Sequence, residues 1–180
     1  MSLLETILTS GNGAAVKALA NNFGLSGEDA MKALSQLVPA LGQNVKRNID
    51  NNPSGLDGLM GALKKGNHGR YLDSPDILGH SNTANDGKSI LGHILGSKDA
   101  SRSLAKQAAS NSGLDFGLLK KMLPVIASMA MGGLSKQSMG KGLLGGALAS
   151  GAGGIISSII DRDNDGKVID DLFNMARKFL

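Results

Sequence analysis

The chain has no cysteine and no tryptophan, and it carries one tyrosine, four phenylalanines and four prolines in 180 residues. Without cysteine it can form neither disulfides nor thiolate metal sites, although that does not fix its compartment. With so few rings, its core has to come from Leu, Ile, Val, Met and Ala, a palette suited to closely packed helices. Charge of either sign is also sparse: the net of +4 is spread along the chain and no basic run forms a nucleic-acid footprint. The start, Met-Ser-Leu-Leu-Glu-Thr-Ile-Leu, has no basic region followed by a long apolar run, so a secretory signal is not expected and a cytoplasmic location is. Gly-Lys-Ser/Thr phosphate loops, serine nucleophile elbows and Rossmann glycines are missing, and the expected function is therefore not enzymatic.

Glycine is abundant: 26 residues, about twice the usual share. Much of it punctuates helices. Ser2 with Glu5 reads as a capping box opening a helix over about Leu3–Thr9, stopped by Gly11-Asn12-Gly13. A second helix is predicted from about Ala14 to Phe23, closed by Gly24. Ser26 with Asp29 opens a third, with Ala30, Leu34, Leu37, Val38 and Leu41 on its apolar face and a kink expected at Pro39. In the connection, residues 50–88, Pro53 to Lys65 reads as a helix closed by Gly66, Asn67 to Asp73 as a loop, Ser74-Pro75 as the start of a short helical turn, and Asn85-Asp86-Gly87 as a turn.

The first half then recurs. Ser89-Ile90-Leu91 and Ile94-Leu95 match Ser2-Leu3-Leu4 and Ile7-Leu8; Asn111-Ser112-Gly113-Leu114 matches Asn22-Phe23-Gly24-Leu25; Pro124 answers Pro39. Two residues are inserted near Lys98-Asp99, and one helical turn is lost before the proline, which preserves the helical phase. The expected architecture is an all-α duplicated bundle over residues 1–136, built from three-helix halves at about 2–47 and 89–136, followed by a Gly-rich segment at 137–160 and a C-terminal loop and helix at 161–180.

Four blocks carry a resemblance: Met1 to Leu8, Gly66-Asn67-His68-Gly69-Arg70-Tyr71-Leu72, Ile90 to Gly96, and Leu119-Lys120-Lys121-Met122-Leu123-Pro124. Over about residues 1–136 the chain resembles the bacterial YidB-like family of uncharacterised proteins. The resemblance implies an all-helical fold and assigns no chemistry to any residue.

The most specific chemical signal is Asp161-Arg162-Asp163-Asn164-Asp165-Gly166-Lys167-Val168. Oxygen ligands at positions 1, 3 and 5, glycine at 6 and an apolar residue at 8 are the opening two-thirds of an EF-hand loop, in which alternate carboxylates on a tight turn supply the oxygens Ca²⁺ requires. The Lys167 carbonyl would serve at position 7. Position 12, usually Glu, is Leu172, with Asp170 and Asp171 just before it. Either the loop closes one residue early through Asp171, or the site is incomplete and weak. The competing reading is a solvated acidic turn.

Residues 142–160 hold no charge, and small residues recur every fourth position, at Gly142, Gly146, Ser150, Gly154 and Ser158. Such a stripe lets helix backbones approach closely. It reads as a flexible linker, as a helix packed on the domain or on a second copy, or as a membrane-active segment slightly short of a full span. His68, His80 and His93 lack metal-ligand spacing, and Asp73, Asp76 and Asp86 near them are not distinguishable from loop caps. The Ala20–Gly24–Ala30 turn partly fits a DNA-binding helix-turn-helix, but its second helix opens with Glu28-Asp29, so an ordinary helical corner and no specific nucleic-acid binding are expected. The favoured reading is an interaction or structural protein that binds a protein partner or itself and carries Ca²⁺ near its C-terminus; a DNA-binding regulator and a membrane-active protein are the alternatives.

Overall fold

The capping box at Ser2 forms as its spacing requires: Ser2 Oγ accepts the Glu5 N–H at 3.1 Å, and the Glu5 carboxylate accepts the Ser2 N–H at 3.2 Å. Helix α1 spans Leu3–Thr9 and presents Leu3, Leu4 and Ile7 inward. Replacing Ser2 with alanine is expected to cost about 1 kcal/mol, read as a lower denaturant midpoint, because the hydroxyl acceptor is lost. The computed structural model describes residues 2–51, 57–58, 61–63 and 66–140. Among these there is no strand, and the fold is an all-α bundle.

A 3-10 turn at Ser10–Gly13 leads into α2, Ala14–Phe23, and α3 follows at Gly27–Asn51. The α2–α3 corner turns on Gly24 at φ 64°, a left-handed conformation that costs glycine little. Ser26 Oγ accepts the Asp29 N–H at 3.0 Å and opens α3. Helix α4 is one turn, Arg70–Asp73, followed by a 3-10 turn at Pro75–Gly79 with proline at its start. Helices α5, Ser81–Leu95, α6, Lys98–Ser112, and α7, Phe116–Gly140, complete the described chain. Gly113, at φ 72°, makes the α6–α7 corner, so this corner and the one at Gly24 each join a helix, through a left-handed glycine, to a long helix with an internal proline.

Two sequence expectations are corrected. Asn85-Asp86-Gly87 is not a turn; it lies inside α5, which begins at Ser81, and Ser89 is a mid-helix residue whose hydroxyl donates to the Asn85 carbonyl. The loop expected from Asn67 to Asp73 closes as helix from Arg70 onward.

Helix α7 is the axis of the bundle. Every residue from Met122 to Ser135 is buried, because α1, α3, α4, α5 and α6 all pack against it. Its 21-residue stretch Phe116–Lys136 has the length and composition to cross a membrane, but 72% of its most apolar window is buried inside the bundle, as expected of a core helix. Small residues let its neighbours approach. A Cβ on Gly87 of α5 would fall 1.8 Å from the Pro124 carbonyl oxygen of α7, and one on Gly133 would fall 2.7 Å from Leu3 Cδ1 of α1. The few polar groups in the core are paired: Ser128 Oγ donates to the Thr83 carbonyl at 3.0 Å, and Thr83 Oγ1 donates to the Ile77 carbonyl. Among the described residues no buried side-chain N or O lacks a hydrogen-bond partner.

Candidate functional site

The block from Gly66 to Asp73 lies across α7 as a strap. A Cβ at Gly132 would stand 2.8 Å from the His68 carbonyl oxygen and 3.3 Å from Leu72 Cγ, so that glycine is the seat of the strap. Tyr71 and Leu72 are almost fully buried, at 1% exposure each. The strap is tied at both ends: a His68 ring nitrogen lies 2.9 Å from the Ala62 carbonyl, and the Asp73 carboxylate pairs with Lys136 near the end of α7.

At its centre three side chains converge. The Tyr71 hydroxyl donates to Asp86 Oδ2 on α5, Arg70 Nη2 donates to the same oxygen at 3.0 Å, and the Arg70 guanidinium lies 5.0 Å from the centre of the Tyr71 ring. Arg70 also donates to the phenolic oxygen at 3.1 Å. Burial raises the pKa of the Tyr71 phenol above its ordinary 10, and the Asp86 carboxylate adds to this by accepting a hydrogen bond from the hydroxyl and by its negative charge. Hydrogen bonding to the Tyr71 oxygen raises Arg70 above its ordinary value, with the neighbouring Asp86 charge contributing further. The group therefore holds a neutral phenol and an ion pair together at the edge of the core. Arg70 and Asp86 have side chains about half exposed, at 50% and 45%, so the pair itself contributes little stability, within about 1 kcal/mol.

The other sequence candidates divide between places in the bundle and residues outside the described set. Asp161, Asp163, Asp165, Lys167, Asp170 and Asp171, and the small-residue stripe at 142–160, lie outside the described residues. His68, His80 and His93 go to different surroundings. His93 is exposed; its carbonyl accepts from Asn48 at 2.7 Å and its ring lies against Gly58. Among the described residues no three His, Asp or Glu side chains come together in a set that could hold a metal ion. Asp73, Asp76 and Asp86 are also separated: Asp73 serves Lys136, Asp86 serves Tyr71 and Arg70, and Asp76 is exposed in the 3-10 turn. At the opening of α3, Lys32 pairs with Glu28 at 2.8 Å and with Asp29 at 3.5 Å, and one lysine against two carboxylates leaves the corner considered for DNA reading net acidic.

The Tyr71–Asp86–Arg70 group escaped the sequence reading because Asn85-Asp86-Gly87 read as a turn. The available signal was the chain's one tyrosine, placed beside an arginine inside a compact motif.

The model of a family described as bacterial proteins of unknown function, DUF937, matches residues 5–137. The chain belongs to the DUF937 family. The match takes in the strap, the Tyr71–Asp86–Arg70 group and nearly all of α7, and it stops before the uncharged stretch and the aspartate-rich loop of this DUF937 chain. No curated protein and no solved structure matches the chain.

Proposed function

We propose that this DUF937 chain is a non-enzymatic structural or protein-interaction module of YidB-like type, whose C-terminal loop binds Ca²⁺ weakly and whose small-residue stripe supports self-association. The YidB-like assignment rests on the wording of the four blocks quoted above, from Met1 to Leu8 through to Pro124. Duplication of the halves is part of the proposal; it is supported by the recurrence of a glycine corner before a proline-bearing helix, and superposing residues 2–47 on 89–136 tests it.

The Ca²⁺ reading is carried by the spacing of Asp161, Asp163, Asp165 and Gly166. Asp161, Asp163, Asp165, Asp170 and Asp171 place five carboxylates within eleven residues, which repel one another unless a cation intervenes. The Lys167 carbonyl and Asp170 or Asp171 would complete the shell. With no Glu at position 12, the expected Kd is about 10⁻⁴–10⁻³ M. Mg²⁺ suits the loop less well, since it keeps several waters and demands octahedral geometry.

Calorimetric titration of the wild type against a variant with Asp161→Ala and Asp165→Ala tests the site. Heat released by the wild type alone at millimolar Ca²⁺ is expected; equal heats from both would remove the ion from the proposal. The mass in solution, with Ca²⁺ and with chelator, tests self-association. Retention on DNA that weakens with salt yet remains sequence-selective would instead favour the regulator reading.

A further inference from the structure

We propose that the corner where α6 turns into α7 docks on anionic lipid surfaces, with Phe116 as its apolar anchor and Lys120 and Lys121 as its headgroup contacts. Phe116, 40% exposed, is the exposed large hydrophobic side chain among the described residues. Lys120 follows it by one helical turn on the same side of α7, with Lys121 beside it, and both are exposed. Leu114 and Leu118, the half-buried residues two before and two after Phe116 in the chain, pack against the core, while the Phe116 ring does not.

The helix that leads into this corner, α6, is also basic on its exposed side. From residue 96 to 121 the basic side chains are Lys98, Arg102, Lys106, Lys120 and Lys121, against Asp99 and Asp115. Lys98, Arg102 and Lys106 recur every fourth residue and are all exposed, which puts them on one side of α6. Asp99 is paired with Arg102 at 3.1 Å. Asp115 Oδ1 accepts the Leu118 N–H at 2.8 Å, capping α7 where the helix dipole offsets its charge. The α2–α3 corner at Gly24 has neither feature: Leu25 is half-buried, and Glu28 and Asp29 outnumber Lys32.

One exposed ring with lysines a helical turn further on matches the boundary between lipid headgroups and acyl chains. Single-stranded nucleic acid would call for a track of rings on which successive bases stack. Lipid is therefore the occupant the corner favours.

The test uses the full chain in sedimentation with vesicles of phosphatidylglycerol mixed with phosphatidylcholine, and with phosphatidylcholine alone. Binding to the anionic vesicles that weakens with added salt is expected. Lys120→Ala plus Lys121→Ala should weaken it about 25-fold, at roughly fivefold per lysine. Phe116→Ser should weaken it about tenfold or more, from the apolar area withdrawn from the boundary. Unchanged helical circular dichroism in both variants confirms that they fold. Three outcomes overturn the proposal: no binding to anionic vesicles, equal binding to neutral ones, or unaltered binding by the folded corner variants, which would assign membrane contact to residues 142–160. A fourth outcome would also overturn it: displacement of the vesicles by single-stranded DNA at lower concentration would reassign the corner to nucleic acid.

Discussion

Gly87→Ala is expected to destabilise the bundle by about 3 kcal/mol or more, whereas Gly92→Ala in the same helix should stabilise it by about 0.5–1 kcal/mol. The new methyl at position 87 would lie 1.8 Å from the Pro124 carbonyl oxygen and 2.4 Å from its carbonyl carbon, both main-chain atoms that no rotamer change can move. Helices α5 and α7 would have to separate, and α7 is gripped by four further elements. At position 92 nothing lies within 4 Å of the added methyl and the site is exposed, so alanine brings only its better helix propensity. Thermal midpoints should shift in opposite directions, down by roughly 6–12 °C for the first and up by a few degrees for the second. A Gly87→Ala protein as stable as the wild type would mean that α5 and α7 do not pack at this distance.

The second large effect is expected at Tyr71. Tyr71→Ala should cost about 3–5 kcal/mol, since a buried ring under the strap leaves a cavity. Tyr71→Phe keeps the ring and should cost only about 1 kcal/mol, the net value of the lost hydroxyl bond to Asp86. The two variants thus separate packing from hydrogen bonding. The pH dependence follows from the raised phenol pKa. The fold favours the protonated phenol, so Tyr71's contribution is fully present below the unfolded tyrosine pKa of about 10. It is lost as pH rises through the higher folded value. Stability of the wild type should therefore fall at alkaline pH, and this component should be missing in Tyr71→Phe. Because the chain has one tyrosine, its ionisation can be followed directly by ultraviolet absorbance. A midpoint at or below about 10 in the folded protein would contradict the burial and the Asp86 contact.

Local rules decided much of what could be read from residues alone. Ser2 with Glu5, Gly24, Ser26 with Asp29 and Gly113 each act within a few residues of themselves. The helices they bound, Leu3–Thr9 and Ala14–Phe23 among them, therefore fall where composition and spacing placed them. The apolar periodicity of α3 likewise marked Leu34, Leu37, Val38 and Leu41 as core. The aspartate spacing from Asp161 to Asp171 is a local pattern of the same kind, legible from residues a few places apart.

Only tertiary structure decided the rest. Asn85, Asp86 and Gly87 have turn-forming propensities, yet they are helical. Asp86 is engaged by Tyr71 and Arg70 from a distant block, and Gly87 is the one residue type that can pass beneath the Pro124 carbonyl. Gly132 and Gly133 weaken α7 as an isolated helix and strengthen it as the axis of the bundle, because their bare Cα atoms receive the strap on one side and Leu3 on the other. The exposure of Phe116 arises in the same way: nothing in its neighbours separates it from Leu119 or Met122, and only the placement of the surrounding helices leaves that ring in water. Caps and corners depend on atoms a turn apart and so are written in short words of sequence. Close approach and exposure depend on which distant backbone arrives, which no short word contains.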